Sequence, residues 1–189
     1  LLKLGEIVLK GLNRKSFETR LISNIKRRIK PFGDFKVYCV QSTIYVEPKN
    51  DQCDMDGAYD ALKTVFGIVS LSRAAACPKD KDAIFETAKR YLGNEISSAS
   101  SFKVESKRAD KSFPMTSIQL SQYVGGLLAE AFPETEVNVR KPDLVVNLEV
   151  RDYAAYVHGI PEAGAGGMPV GSCGRAVSLL SGGIDSPVS

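Results

Sequence analysis

Apolar residues recur every four positions through residues 14–30, which is the spacing of one buried face of an α-helix. The apolar positions are Phe17, Leu21, Ile25 and Ile29. We expect this helix to begin at Asn13, whose side chain can cap the first free amides, and to end near Pro31 and Gly33. Most of the remaining positions in this stretch are Lys or Arg.

Short runs typical of β-strands surround this helix and a second one. The expected strands cover residues 1–9, 35–40, 43–47 and 69–76, and the second helix covers residues 55–66. The resulting order, β-α-β-β-α-β, is the split βαβ plan of ferredoxin-like domains, in which both helices cover one face of an antiparallel sheet. We therefore predict a ferredoxin-like domain over residues 1–77.

A second set of elements follows the break at Pro78. Expected helices cover residues 82–92 and begin again at Thr116, where Gln119 is spaced to complete a capping box. Expected strands cover residues 102–106, 144–150 and 153–158. The apolar sides of the two helices should be buried, and they comprise Ile84, Ala88 and Leu92, then Ile118, Val124, Leu127, Leu128 and Ala131. These elements predict a second α/β domain over residues 79–160.

The last 29 residues, 161–189, contain two segments of different composition. Residues 161–175 are rich in glycine and proline, a composition that resists regular structure and suits an interdomain linker. The apolar run Ala176–Leu180 then predicts the first buried strand of a further domain covering residues 176–189. The chain lacks an initial Met and stops just after a glycine turn, so we expect both ends to be cuts.

Composition and charge narrow the class of protein. The 189 residues are 43% hydrophobic and 25% charged, which favours one or two globular domains. No run approaches a membrane span and no signal peptide is evident, so we expect a cytoplasmic protein without a membrane partner. Four scattered cysteines and one histidine, His158, predict reduced thiols and no metal site, with His158 as a structural side chain.

The positive charge is concentrated at the front of the chain. The overall charge is only +3, yet residues 1–36 hold ten Lys or Arg against three acidic residues. This asymmetry indicates a polyanion as partner.

The turn Ser181-Gly-Gly-Ile-Asp-Ser186 carries the candidate chemistry. A strand that turns through glycines into a helix presents free backbone amides to an anion, and phosphate is the natural ligand. The turn lacks the lysine and spacing of a Walker loop. It resembles the PP-loop, S-G-G-x-D-S, of ATP pyrophosphatases, and the competing interpretation is a plain glycine turn.

Three stretches together resemble the ThiI family of tRNA 4-thiouridine synthetases: residues 4–14, Gly166-Gly-Met-Pro-Val-Gly171, and residues 179–188. In this family a ferredoxin-like domain and a THUMP domain precede the PP-loop domain, and the likeness runs through the whole chain in that order. Residues 102–108, 121–125 and 142–150 resemble THUMP segments. Lys141 replaces the asparagine that is common before Pro142-Asp143.

The resemblance implies an α+β protein whose full-length form is an enzyme. ATP, with Mg²⁺, would adenylate the C4 oxygen of a tRNA uridine, and sulfur from a persulfide-bearing donor such as a cysteine desulfurase would displace AMP. The residues implied to hold ATP are Ser181, Gly182, Gly183, Asp185 and Ser186. A role in making the thiazole of thiamine and a homodimeric assembly stay open.

The same resemblance assigns no catalytic residue to this chain. The sulfur-handling cysteines of the family lie beyond the PP-loop, so Cys39, Cys53, Cys77 and Cys173 are expected to be packing residues. Residues 181–189 cannot supply a full PP-loop sheet, so we expect no adenylation by this chain alone.

The front half is therefore expected to bind tRNA through phosphate contacts, which fix register without reading sequence. Candidate contacts are Lys10, Asn13, Arg14, Lys103, Lys107, Arg108, Lys111, Arg140 and Lys141. The competing interpretation of each is a solvated basic surface. Two other functions stay open for the chain: a free-standing RNA-binding module, and another THUMP-containing RNA-modifying enzyme such as a methyltransferase.

Overall fold

The computed structural model describes residues 1–172, 174, 177 and 179–188, with the side chains of residues 186 and 187 left out. The chain divides into two compact units. The first contains residues 2–70 together with the described residues from 163 onward, and the second contains residue 1 and residues 71–162. We call them the amino-terminal unit and the central unit.

The strands in chain order are β1 (Leu2–Leu4), β2 (Phe35–Val40), β3 (Thr43–Pro48), β4 (Ile68–Leu71), β5 (Ala75–Cys77), β6 (Ser101–Arg108), β7 (Glu136–Val137), β8 (Leu144–Val150), β9 (Ala155–His158) and β10 (Glu162–Ala163). The α-helices are α1 (Arg14–Ile29), α2 (Met55–Lys63), α3 (Lys81–Ser98), α4 (Ser117–Ala131) and α5 (Asp185–Val188). Short 3-10 helices cover Glu6–Leu9, Gly11–Asn13 and Lys30–Phe32.

The sheet of the amino-terminal unit has the strand order β10-β4-β1-β3-β2. The four strands beside β10, in the order β4-β1-β3-β2, follow the ferredoxin-like order, which confirms the predicted fold. β3 pairs antiparallel with both β1 and β2, and Leu2 lies opposite Ile44. As the four-residue spacing predicts, α1 buries Leu21, Ile25 and Ile29 almost completely, while Phe17 is half-buried.

Two predictions at the start of the chain are wrong. The expected strand over residues 1–9 ends at Leu4, because the amide of Val8 bonds back to the Gly5 carbonyl and starts a 3-10 turn. The side chain of Asn13 does not cap α1. Its backbone is helical (φ −86°, ψ −5°), whereas a side-chain cap needs an extended residue at that position.

The strand predicted over residues 69–76 is two strands in two sheets. Residues Ile68–Leu71 form β4 in the first sheet, and Ala75–Cys77 form β5 in the second. An unbroken apolar run cannot show where a chain passes from one sheet to another, because both halves satisfy the same pattern.

The central unit has the strand order β5-β9-β8-β6-β7. β6 pairs in parallel with β8, and β8 pairs antiparallel with β9. The predicted capping box of α4 is confirmed, since Thr116 accepts from the Gln119 amide and the Gln119 side chain accepts from the Thr116 amide. α3 runs to Ser98, six residues beyond the prediction, because Ile96 extends its buried face.

The buried face of α4 differs from the one predicted. Ile118 is 71% exposed, and Leu120 takes its place on the inner stripe with Val124 and Leu128. These three residues are four positions apart and lie in one core with Phe102 and Val146.

The glycine-rich segment expected to be a structureless linker packs instead on the amino-terminal unit. β10 lies beside β4, and the amides of Gly164 and Gly166 donate to the carbonyls of Val69 and Ile68, both at 2.8 Å. The Gly67 amide donates to the Gly166 carbonyl at 2.6 Å. We call residues 163–172 the returning segment.

Pro169 anchors the returning segment. It is buried, and its Cγ lies against Gly67, where an added Cβ would come within 3.1 Å of it. The same Cβ would meet the side chains of Ile7 and Leu21 at 3.3 Å, and Gly67 has a φ of +101° that side chains rarely adopt. Only glycine at position 67 therefore leaves room for the proline beside the core.

None of the described helices is long and apolar enough to cross a membrane.

Candidate nucleic-acid interface

Three of the predicted phosphate contacts lie on β6, and the structure gives them different roles. Lys103 is ion paired with Glu105 at 2.6 Å. Arg108 points inward along the loop that follows β6, and its guanidinium donates to the carbonyls of Phe113 and Met115 at 3.0 and 3.2 Å. Lys107 is exposed. Of the three, Lys107 is the side chain that is exposed to solvent and accessible to an anion.

Arg108 is therefore explained by the fold. Its guanidinium uses two of its five N–H donors in hydrogen bonds to carbonyl oxygens of its own loop. We infer that Arg108 shapes the loop of residues 109–115, and that Lys111, which is exposed on this loop, depends on it for its position.

A second contact holds the same loop. The Asp110 carboxylate accepts from the Lys79 ammonium at 2.6 Å and from both the amide and the hydroxyl of Ser112. The hydrogen bond from Lys79 is the main reason that the pKa of Asp110 is held well below its usual value. Arg108 and Asp110 thus fix the two ends of the segment that carries Lys111.

Arg140 and Lys141 lie at the opposite end of β6. Their amides donate to the side-chain oxygen of Asn138 at 3.1 and 3.0 Å, which forms a tight turn and leaves both side chains exposed. The Asn138 amide in turn donates to the Phe102 carbonyl at the start of β6. Lys107 lies five positions after Phe102 along β6, which is roughly 17 Å.

The predicted cations of the central unit thus form two groups rather than one cluster. We call Arg140 and Lys141 the proximal pair, and Lys107 and Lys111 the distal pair. In the part of the chain that the structure describes, none of these four side chains has a hydrogen bond or an ion pair to its charged group.

The candidates in the amino-terminal unit are also divided. The Lys10 ammonium is exposed and lies 5.5 Å from the centre of the Phe17 ring. Asn13 is exposed in the 3-10 turn before α1. Arg14 is engaged with Glu18 at 2.6 Å and with the Ser42 hydroxyl at 2.8 Å, so its guanidinium is already satisfied on two sides.

The most basic surface of this unit was not among the predicted phosphate contacts. Six further cations are exposed on or just after α1: Lys15, Arg20, Lys26, Arg27, Arg28 and Lys30. The one acidic residue within α1 is Glu18, which faces Arg14. The signal was present in the sequence as the density of basic residues, but the amphipathic pattern explains such residues equally well as a solvated helix face.

The predicted nucleotide loop is exposed in this chain. Gly182 and Gly183 are exposed, and the Gly183 amide donates to the Ser181 hydroxyl at 3.3 Å. Asp185 begins the four-residue helix α5, and the Ser186 side chain lies outside the described residues.

The strand predicted just before this loop is absent from the positions that are described. Ala176 and Ser178 lie outside them, while Val177, Leu179 and Leu180 are exposed and outside any strand. A buried strand needs strands beside it, and none of the described strands pairs with this run.

Family comparisons match both units. The model of the ThiI ferredoxin-like domain matches residues 1–72, and the model of the THUMP domain matches residues 78–158. Two curated relatives, both named probable tRNA sulfurtransferase, come from Acetivibrio thermocellus and Caldanaerobacter subterraneus subsp. tengcongensis. They are 43% and 41% identical over all of this chain, which spans 48% of each relative.

Solved structures agree with these matches. A 4-thiouridine synthetase crystallised with RNA and bound ATP is 34% identical, with a TM-score of 0.76 over 99% of this chain and 47% of that one. A Pyrococcus horikoshii protein is 26% identical, with a TM-score of 0.78 over 90% of this chain and 56% of that one. The chain thus spans about half the length of the relatives that it matches.

Proposed function

Because the chain belongs to the ThiI family, of which it carries the ferredoxin-like and THUMP domains, we propose that it is the tRNA-binding part of a tRNA sulfurtransferase. The observation that carries this proposal is the likeness to a 4-thiouridine synthetase crystallised with RNA, which extends over 99% of this chain. A cytoplasmic location follows from such a substrate.

The chemistry proposed for the whole enzyme is the ATP-dependent synthesis of 4-thiouridine. ATP adenylates the C4 oxygen of a uridine in tRNA, and pyrophosphate leaves. The terminal sulfur of a persulfide then bonds to C4 and displaces AMP, and a second thiol cleaves the persulfide S–S bond, which leaves 4-thiouridine and a disulfide. Adenylation is needed because a carbonyl oxygen is a poor leaving group until it is joined to phosphate. The thiazole of thiamine stays open as a second acceptor of the sulfur.

ATP would lie at the loop that ends this chain. Ser181, Gly182, Gly183 and Ser186 would give amides and hydroxyls to the phosphates, and Asp185 would hold Mg²⁺ or cap the loop. ATP in the crystal structure of the related synthetase supports this assignment. No step of catalysis is assigned to a residue of this chain, and the sulfur donor would be a persulfide-bearing partner such as a cysteine desulfurase.

RNA would be held through the cations that the central unit leaves free. The proximal pair lies near the start of β6 and the distal pair lies at and just after its end, so the two pairs would contact different phosphates of the RNA. Lys10 and Asn13 would add contacts from the amino-terminal unit. Lys103, Arg108 and Arg14, which have partners in the fold, would contribute less than their sequence pattern predicts.

The experiment is binding of unmodified tRNA to this chain across a range of salt concentrations. Changing Lys107 and Lys111 to Ala should weaken binding and lower the dependence of log K on log salt by about one to two, because a protein that neutralises fewer phosphates releases fewer counterions. The matched control changes Lys89 and Arg90 to Ala, two exposed cations on α3 that were not predicted to contact RNA. Equal weakening of tRNA binding in both variants would show that the loss of net charge, and not the position of the lysines, causes the effect. Absence of tRNA binding at low salt would overturn the proposal.

A free-standing RNA-binding module is the second candidate function. The relatives that the chain matches are about twice its length, which favours the enzyme. ATP binding by the protein of the full reading frame separates the two, since a module without a nucleotide domain has no site for ATP.

A further inference from the structure

A groove on the amino-terminal unit brings arginines and an exposed aromatic ring together. It encloses about 580 Å³ and lies between the second half of α1, the turn that joins α2 to β4, and the returning segment. Its lining includes Asn24, Arg27 and Arg28 from α1, Thr64 and Phe66 from the turn, and Val170 from the returning segment.

Hydrogen bonds hold each wall of this groove. Arg28 donates to the Thr64 hydroxyl at 3.1 Å, and Arg27 donates to the Asn24 side-chain oxygen at 3.3 Å. The side-chain amide of Asn24 donates to the Val170 carbonyl at 3.0 Å. Each arginine uses one of its donors in these bonds and keeps others for a ligand. The groove is therefore positioned before any ligand arrives.

The chemistry of the lining suits a nucleotide within a chain of RNA. Guanidinium groups match phosphate geometry with two parallel hydrogen bonds, and an exposed aromatic ring stacks on an unpaired base. Phe66 is 51% exposed and Val170 is 61% exposed, although both are large apolar side chains. Among the described residues that line the groove, none is acidic.

The charge continues along the helix from the groove. Ser16, Arg20, Asn24 and Arg27 follow the spacing of one stripe of α1, and a shallow depression at its start is lined by Lys15, Ser16, Thr19, Arg20 and Ser23. From Lys15 to Arg27 this stripe is roughly 18 Å long. Cations and hydroxyls spaced along that length can follow a phosphate backbone into the groove.

We propose that this groove binds an unpaired nucleotide of the RNA, with Arg27 and Arg28 on its phosphate and the Phe66 ring stacked on its base. The inference rests on the proposed function, because RNA is the polyanion that it assigns. It adds a contact region on the amino-terminal unit that lies outside the residues assigned above.

The first test is binding of unmodified tRNA to three variants. Arg27→Ala with Arg28→Ala should weaken binding at least tenfold and lower the salt dependence by about one to two. Phe66→Leu keeps an apolar side chain and removes the ring, so it should weaken binding roughly tenfold while the salt dependence stays as in the unchanged protein. Lys26→Ala with Lys30→Ala removes two cations that do not line the groove, and it should weaken binding by less than the arginine variant.

The outcomes are distinct. Unchanged affinity of both the Phe66→Leu and the arginine variants, with RNA binding intact in the unchanged protein, would overturn the groove and leave the proposed function standing. Equal weakening in the arginine variant and in the lysine control would also overturn it, because charge alone would then explain the effect. Lack of RNA binding by the unchanged protein would overturn both proposals. Circular dichroism of each variant checks its fold, and an RNA duplex without unpaired bases should bind equally well to Phe66→Leu and to the unchanged protein.

Discussion

The side-chain amide of Asn24 donates to the carbonyl oxygen of Val170 at 3.0 Å, joining residues that are 146 positions apart in the chain. This bond and the burial of Pro169 beside Gly67 make the returning segment part of the amino-terminal unit. The nine residues between Ser172 and the Gly182-Gly183 turn then limit how far that turn can lie from α1. A fully extended chain of that length spans roughly 30 Å.

Removing this bond should release the returning segment. Asn24→Ala is expected to cost about 1 kcal/mol, because the Val170 carbonyl loses its donor. Asn94→Ala is the matched control, since it makes the same replacement on an exposed site of α3 and carries the same gain in helix propensity. Hydrogen exchange at the amides of Gly164 and Gly166 measures the effect. Faster exchange in Asn24→Ala than in Asn94→Ala is expected, and equal rates would show that the bond does not hold the segment.

Gly67 offers a stronger test of the same packing. An alanine there would place its Cβ 3.1 Å from Pro169 at a φ of +101°, so both crowding and backbone strain oppose it. We expect Gly67→Ala to destabilise the amino-terminal unit by about 1–3 kcal/mol. Gly126→Ala on α4, where an added Cβ meets nothing within 4 Å, is the control and should be neutral or slightly stabilising. Chemical unfolding of the two variants gives the comparison, and equal stability would contradict the close approach of Pro169.

Sequence patterns predicted the regular parts of this fold because local physics decides them. β2 and β8 were predicted at their observed bounds, and the capping box of Thr116 and Gln119 was predicted from spacing alone. Errors arose where a distant partner decides the outcome. Ala163 and Gly164 lie beside β4 because that side of β4 has no other strand to pair with among the described residues. The residues around position 163 carry no sequence pattern that would indicate this pairing.

The candidate site shows the same division. Clusters of basic residues were visible in the sequence, but Arg108 and Lys107 are neighbours with opposite roles, and only the positions of the Phe113 and Met115 carbonyls separate them. The groove of Arg27 and Phe66 joins residues that are 39 positions apart, with Val170 a further 104 positions on. No local pattern relates these three residues.

Arg108 should behave as a residue of the fold. We expect Arg108→Ala to lower stability by about 1–3 kcal/mol, because two carbonyls lose a charged donor, whereas Lys107→Ala should be close to neutral. RNA binding should show the opposite ranking of the two variants. Lys107→Ala should lower the salt dependence of binding more than Arg108→Ala does. Thermal unfolding and a salt titration on the same two proteins make the comparison. If Arg108→Ala leaves stability unchanged and strongly lowers the salt dependence of RNA binding, Arg108 is a phosphate contact and not a residue that supports the fold.

Asp110 supplies a dependence of stability on pH. Since Lys79 and Ser112 hold the pKa of Asp110 below its usual value of about 3.9, the folded state favours the carboxylate. Its contribution is fully present above the unfolded pKa and is lost as pH falls through the lower folded pKa. The stability difference between the unchanged protein and Asp110→Asn should be constant from about pH 5 to 8 and should shrink below about pH 4. Unfolding at several pH values measures it, with Glu130→Gln, an exposed carboxylate on α4 of the same unit, as the control. A difference independent of pH would contradict the role of Lys79.

Cysteine reactivity tests whether the thiols of the two units are packing residues. Burial is the main cause that raises the pKa of Cys39 and of Cys77, and Cys77 is 8% exposed inside the core of the central unit. A thiol with a raised pKa is protonated near pH 7, and the thiolate is the form that reacts with iodoacetamide. We expect both residues to label slowly in the folded protein and at the rate of free cysteine in denaturant. Mass spectrometry of peptides taken over time gives each rate, and rapid labelling of Cys77 in the folded protein would show an accessible thiolate in place of a packed side chain.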